Sequence, residues 1–284
     1  MRLTDGRTLL NHALANKYAV GAFSVHTAEM VQGVLEAAEE EKAPVLLQIG
    51  QRAIRNSGFA ALVQAIRFYG ERVSVPVCIH LDHGSSYEQA VEALQAGCTS
   101  VMFDGSHLPV ETNIAITRRV VEAAHRAGVS VEGEIGKIAG VEDDISVDEK
   151  DAFLTDPEEA YYFYENTKVD YLAVSIGSAH GIYKKEPKLD LMRLDRIRQR
   201  VPIPIVLHGG SGIPDEQIRE AIPYGIAKIN VDTELRAAYT AGLAESLQEH
   251  REAFDPFRYQ SAAMEAMKET VRAKIRVFGS AAKA

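Results

Sequence analysis

Eight short apolar runs rich in β-branched residues recur along the chain, at 18–23, 45–49, 77–81, 100–103, 129–131, 171–175, 205–207 and 227–230. Between them lie longer segments in which apolar residues return every three to four positions, among them 28–41, 87–96, 110–127, 157–166 and 214–221. An uninterrupted apolar run marks a strand buried on both faces, as in a parallel sheet, and the 3.6-residue period marks a helix packed against it. Local chemistry agrees with these boundaries. Thr27 and Asp156 can accept from the orphan N–H groups of a first turn, Pro157 and Pro214 suit first-turn positions, and Gly97, Gly128 and Gly225 stand where helices must stop. Strand–helix alternation repeated eight times predicts an α/β fold of the (β/α)8 barrel type, with residues 1–284 as one domain. A GxGxxG turn after the first strand would favour an open doubly wound sheet, and none follows here. Residues 234–284 read as helical throughout and predict a C-terminal helical extension, packed on the barrel or on a neighbouring subunit.

Composition then acts by exclusion. A formal net charge of −9, with no cluster of Lys and Arg, argues against a nucleic-acid partner. No run reaches the roughly 18 apolar residues of a membrane span. The opening MRLTDGRTLLNHA has no apolar stretch of signal-peptide length, so the expected location is cytoplasmic. Cys78 and Cys98 are too few for a disulfide framework or a four-thiolate metal site, and Cys78, within the apolar run 75–81, reads as a buried thiol.

The candidate chemistry stands just after the runs. Strand three ends in Asp82-His83-Gly84, strand four in Asp104 and strand five in Glu134. Strand six is followed by Gly177-Ser178-Ala179-His180-Gly181, strand seven by His208-Gly209-Gly210-Ser211-Gly212, and strand eight by Asn230-Val231-Asp232-Thr233. In this fold the active site is built where the strands end, so these residues converge despite their separation in sequence. Three histidines with the carboxylates of Asp82, Asp104 and Glu134 at one barrel mouth form a metal-site composition. A catalytic zinc takes imidazole nitrogen readily and keeps about three protein ligands with one open position, a count that His83, His180 and His208 fit. His80 lies deeper on its strand and reads as a core histidine or a support beneath the mouth. After strands seven and eight, backbone N–H groups freed by glycine and the hydroxyls of Ser211 and Thr233 can cradle an anion, since those loops are the usual phosphate site of the fold.

The motifs HLDHGSS (80–86), SVMFDGSH (100–107), VEGEIG (131–136), AGVEDD (139–144), GSAHGIYK (177–184), LHGGSGIP (207–214) and KINVDTEL (228–235) together resemble the class II fructose-1,6-bisphosphate aldolases and their tagatose-bisphosphate relatives. The likeness runs from about Tyr18 to RVFGSA (276–281). It implies a cytoplasmic, zinc-dependent lyase that cleaves a ketose phosphate to dihydroxyacetone phosphate and an aldehyde, working as a homodimer or homotetramer. The resemblance makes His83, His180 and His208 the zinc ligands, and Asp104 and Glu134 the pair for a second divalent ion. It assigns Asp82 to the proton of the C4 hydroxyl and Glu142, on a loop that closes over substrate, to the proton at C3. It further implies that Gly181, Gly209, Ser211, Asn230 and Thr233 contact dihydroxyacetone phosphate. Gly181 and Gly209 are also associated with a monovalent cation, sodium or potassium. Asp232 and Arg236 match positions facing the far half of the ketose.

Three departures stand out. Ser24 replaces a common asparagine, Gly50 a phosphate-contacting serine, and Phe257 an arginine that reaches the distal phosphate in the neighbouring subunit's site, with Arg258 next to it. Two rival readings remain open. A Schiff-base aldolase would need a desolvated lysine inside the barrel, for which Lys228 is the one candidate. A non-catalytic sugar-phosphate binding protein on the same fold is the other.

Overall fold

The computed structural model describes the backbone of residues 2–142, 145–147, 153–183 and 186–284, with side chains for 3–138, 153–183 and 186–284. Eight parallel strands close on themselves: β1 (Val20–Ser24), β2 (Val45–Ile49), β3 (Pro76–Gly84), β4 (Ser100–Phe103), β5 (Ser130–Ile135), β6 (Tyr171–Val174), β7 (Ile205–Leu207) and β8 (Ile226–Val231). Each pairs with the next, and β8 returns to β1 through Lys228↔Val20, Ile229↔Gly21, Asn230↔Ala22 and Val231↔Phe23, which seals the ring. The (β/α)8 barrel expected from the alternation is the observed fold.

Helix α1 (Gly6–Ala15) precedes the barrel. Around its outside run α2 (Ala28–Glu40), α3 (Gln51–Ser57), α4 (Phe59–Gly70), α5 (Tyr87–Ala96), α6 (Val110–Arg126), α7 (Pro157–Thr167), α8 (Leu191–Arg200) and α9 (Asp215–Ala221). The caps read from sequence form: Thr27 Oγ1 accepts from Met30 N at 3.3 Å and Asp156 Oδ1 from Glu158 N at 2.8 Å. Gly97 ends α5 at φ 95°. Outward strand residues such as Phe23, Leu47, Ile79 and Val131 pack beneath the helices, while inward Ala22, Leu46, Cys78, Ala173 and Val206 form a separate cluster plugged from below by Leu9, Leu10 and Ala13 of α1. No described helix is long and apolar enough to cross a membrane.

The helical tail is two helices, α10 (Thr233–Glu249) and α11 (Pro256–Val277), folded back on each other with Gly242 packed against Ala262, Ala263 and Ala266. It packs on its own barrel: α11 lies on α2, where Met264 and Met267 cover Gly33 and Lys268 pairs with Glu36 at 3.1 Å and Glu40 at 2.9 Å. Two strands run further than their apolar runs. β3 continues to Gly84 rather than stopping at Leu81, and β5 spans Ser130–Ile135 rather than ending at Val131. The physical reason is common to both. Near the mouth the inward positions turn polar, which breaks the apolar pattern while the ladder continues.

That extension of β3 contains a bulge. Leu81 faces Val101 of β4, but Gly84 faces Phe103, so three steps on β3 match two on its neighbour. His83 takes φ 47°, a left-handed conformation rare for a side chain with a Cβ. Strict alternation would send Asp82 and His83 to opposite faces; a bulge re-aims one residue, and both are buried at the mouth. Glycine at 84 is required, because a Cβ there would overlap the Met102 carbonyl oxygen. Gly84→Ala should lower the unfolding free energy by about 1–3 kcal/mol through overpacking, read by chemical denaturation. The variant should bind divalent ions more weakly as well, since the strained site belongs to the same bulge.

Candidate metal centre and active site

Three imidazoles face one another above the barrel. His83 comes from the β3 bulge, His180 from the short strand Ala179–His180 that follows β6, and His208 from the end of β7. Their ring centroids are 5.3 Å apart for His83 and His180, 4.8 Å for His83 and His208, and 5.7 Å for His180 and His208. One nitrogen from each lies within 4.8 Å of the others, and all three rings are buried. His83, Asp104 and Glu134 form a second group within the same spacing, so the histidine and carboxylate sets share His83.

Hydrogen bonds fix which nitrogen faces the centre. His83 Nδ1 lies 2.8 Å from Asp104 Oδ2. Burial pushes the Asp104 carboxyl up, but hydrogen bonds from His83 and Ser106 outweigh it and hold it well below the usual carboxylate range. An ionised carboxylate only accepts, so Nδ1 carries the proton and Nε2 presents its lone pair. His208 is held the same way from beneath, with Nε2 2.8 Å from Glu132 Oε1. Burial pushes the His208 ring down to about 4 despite that bond, so the ring is neutral and Nδ1 is the lone-pair atom. Nδ1 has no hydrogen-bond partner among the described residues and faces Glu134 Oε2 at 3.4 Å. The pairing of carboxylate with imidazole at both His83 and His208 matches the outer shell of many zinc sites. By donor set and tautomer, these residues fit a divalent metal such as zinc.

Asp82 adjoins the metal group, is buried, and accepts from Asn230 Nδ2 at 3.2 Å. The loops after β6 and β7 are stitched together. Tyr183 Oη donates to the Gly209 carbonyl at 2.9 Å and accepts from Ala179 N at 2.8 Å, and a Cβ on Gly209, at φ 65°, would strike the Ala179 carbonyl. Gly181 also takes positive φ, 86°. Gly210 N donates to the Asn230 carbonyl at 2.9 Å, which ties the glycine loop to β8. Ser211 Oγ accepts from Glu234 N at 3.3 Å, and Thr233 opens α10 directly beside it.

Asp232 has both oxygens committed, Oδ1 to His26 Nε2 and Oδ2 to Arg236 Nε, each at 2.8 Å. Arg236 thus sits beside Asp232, on a cavity of about 360 Å³ that it lines with His26, Arg52, Asn56 and Ser57. Glu142 ends the strand Ala139–Glu142, which pairs in parallel with the His180 strand through Ala179↔Ala139 and His180↔Gly140. Its side chain lies outside the described residues.

Among the departures, Ser24 is buried and accepts from Gln48 Nε2 at 2.9 Å, and Gly50 precedes α3 as its N-cap. Phe257 stands 78% exposed in the first turn of α11. Several residues around the site escaped the sequence reading: Glu132, Gln51, Tyr183, His26 and Arg52. Glu132 had a signal, since in VEGEIG it shares the inward parity of Glu134. Gln51, whose Nε2 donates to the His83 carbonyl at 2.9 Å, had none.

Residues 4–283 match the family model described as "Fructose-bisphosphate aldolase class-II". A "Sulfofructosephosphate aldolase" of Alkalicoccus urumqiensis is 50% identical over 284 residues, covering 100% of this chain and 99% of its own. A "Fructose-bisphosphate aldolase" of Thermus caldophilus is 47% identical, covering 99% and 100%. Among solved structures, the YdjI aldolase of Escherichia coli K12 superposes with a TM-score of 0.88 at 37% identity, over 99% of each chain. The chain belongs to the class II fructose-bisphosphate aldolase family, a family of carbon–carbon lyases.

Proposed function

We propose that this chain is a zinc-dependent aldolase that reversibly cleaves a ketose phosphate to dihydroxyacetone phosphate and an aldehyde. Fructose 1,6-bisphosphate, giving glyceraldehyde 3-phosphate, is the first candidate substrate. One observation carries the reading: three buried imidazoles from three strand ends turn ring nitrogens to one point, with the carboxylate of Asp82 alongside. His83, His180 and His208 would hold the zinc. When bound, the ion supplies a Lewis acid for the ketose carbonyl, stabilising by several kcal/mol the negative charge that cleavage leaves on the three-carbon fragment.

The chain's own residues supply the rest. Asp82, aligned by Asn230, accepts the proton of the C4 hydroxyl as the C3–C4 bond breaks and the aldehyde forms. Glu142 delivers a proton to C3, and in condensation both roles reverse. Backbone groups at Gly181 and Gly209, with Ser211, Asn230 and Thr233, hold dihydroxyacetone phosphate at the glycine loop and the start of α10. A sodium or potassium ion held by Gly181 and Gly209 would help to neutralise the phosphate. Asp104 and Glu134 with His83 would offer a second divalent position.

Access argues against the Schiff-base alternative. Lys228 is fully buried and donates to Glu132 Oε2 at 2.7 Å, beneath the mouth, where no ketose carbonyl can reach it. A chelator should therefore abolish turnover, zinc should restore it, and borohydride with substrate should leave the chain unlabelled. Turnover that survives chelation, with covalent trapping, would overturn the zinc reading. Absence of turnover on every ketose phosphate, with zinc present, would leave a binding protein. Asp82→Ala should keep zinc and lose about 10²–10⁴-fold in turnover, and near-normal turnover would remove Asp82 from the mechanism. Glu142→Ala should slow exchange of the C3 proton of dihydroxyacetone phosphate with little change in its binding.

The far half of the substrate is the less conventional end. We assign it to the cavity of His26, Arg52 and Arg236, beside Asp232. With 17 residues, α10 carries the chain about 25 Å from the mouth before α11 begins, so Phe257 could meet substrate only in a partner's site. A homodimer or homotetramer would supply that meeting. Phenylalanine offers a phosphate no donor, whereas arginine offers a bidentate clamp. A second reading follows, in which the distal group is not a second phosphate; the sulfofructosephosphate aldolase relative is named for such a ketose. Tagatose 1,6-bisphosphate, differing from the fructose ester at one stereocentre, belongs on the same assay panel. Phe257→Arg should lower the KM for the bisphosphate with kcat nearly unchanged, since uniform binding acts on KM. Arg258→Ala should leave that KM unaltered, and a large rise would assign the distal phosphate to Arg258 instead.

A further inference from the structure

Beneath the metal centre lies a set of buried polar groups that the reaction does not use. Glu132 Oε1 meets His208 Nε2 at 2.8 Å, Glu132 Oε2 meets Lys228 Nζ at 2.7 Å, and all three side chains have no exposed surface. Lys228 Nζ also lies 3.4 Å from His80 Nε2, and His80 Nδ1 lies 2.6 Å from Ser100 Oγ. Ser100 in turn hydrogen-bonds to the Tyr171 hydroxyl. A carboxylate here accepts from two sides, and both donors are fixed by the barrel rather than by solvent.

We propose that Glu132 is a positioning residue that locks His208 as the Nε2-protonated tautomer, so that Nδ1 faces the metal, and that Lys228 holds Glu132 in place for this task. Imidazole can present either nitrogen, and the proton goes where an obligate acceptor waits. With Lys228 Nζ donating to Oε2 at 2.7 Å, Glu132 is placed as an acceptor on both oxygens, and Oε1 is the one that faces His208. The inference rests on the zinc reading of the three histidines.

The polarity of this arrangement gives it a distinctive test. In Glu132→Gln the side chain keeps its shape but becomes half donor. If its NH2 turns to His208, the imidazole proton is forced onto Nδ1 and the ligand lone pair is lost. If its carbonyl turns to His208, the NH2 meets the Lys228 ammonium, donor against donor, in a space closed to water. Zinc affinity falls either way. Adding Lys228→Met removes the conflict: the amide oxygen can accept from His208 while its NH2 donates toward His80 Nε2, the acceptor Lys228 now faces.

Zinc dissociation constants measured by chelator competition, with the visible spectrum of the cobalt(II) form as a second readout, decide the matter. Glu132→Gln should weaken zinc about 10–100-fold, the range seen when outer partners of metal ligands are changed, and should alter the cobalt spectrum. Glu132→Gln/Lys228→Met should recover most of that loss and the wild-type spectrum. Melting of the metal-free proteins reports folding separately. Wild-type zinc affinity in Glu132→Gln, or a double variant no better than the single, would overturn the proposal. A wild-type protein that binds no zinc would overturn the underlying reading instead.

Discussion

In a closed parallel barrel the inward side chains of eight strands share one narrow column, and a charge placed in it has no route to water. Glu132 sits in that column, between the apolar plug under α1 and the open mouth, with Lys228 and His208 as its partners. Removing an ion from water costs several kcal/mol, and a buried ion pair replaced by well-packed apolar residues is often as stable or more so. Stability alone therefore gives no reason for a carboxylate and an ammonium at this depth. What the pair does supply is direction: an acceptor of fixed position under His208, which no apolar layer could provide.

The same device recurs one strand away. Asp104 faces His83 Nδ1 from the side as Glu132 faces His208 Nε2 from below, so two rings are oriented by acceptors on different strands. The two rings consequently use different nitrogens toward their common centre, Nε2 for His83 and Nδ1 for His208. Glu134, two residues past Glu132 and on the same inward face, approaches both rings, at 4.0 Å from His83 Nδ1 and 3.4 Å from His208 Nδ1. A carboxylate this close to both rings raises the negative potential where a cation would sit.

The barrel was legible because buried parallel strands leave continuous apolar runs, and because caps such as Thr27 and Asp156 act locally. Strand ends were less so, since period two persists after apolarity stops; reading VEGEIG by parity would have found Glu132. Convergence of His83, His180 and His208 followed from strand order alone. Other features depend on tertiary geometry that no local pattern encodes. The bulge that turns Asp82 and His83 to one face is set by pairing with β4, and the Tyr183 bridge depends on where two loops meet. Likewise His26 reaches Asp232 across 206 residues of sequence.

A phosphorylated sugar approaching a chain of net charge −9 would have to overcome the field of its carboxylates. Screening removes much of the difficulty, because at physiological ionic strength the Debye length is only about 8 Å and distant carboxylates are hardly felt. Many acidic residues are also neutralised far from the mouth, as where Lys268 and Arg272 bind Glu36, Glu40 and Glu265 between α2 and α11. What an anion would meet near the mouth is local: the start of α10 and the cavity lined by Arg52 and Arg236. Asp232 makes no cap bond to α10, because His26 and Arg236 hold its oxygens elsewhere. Ser211 Oγ answers the Glu234 N–H in that first turn instead, and Glu234 adds a carboxylate of its own. An anion at the start of α10 would therefore depend on the remaining backbone N–H groups rather than on an uncompensated helix end.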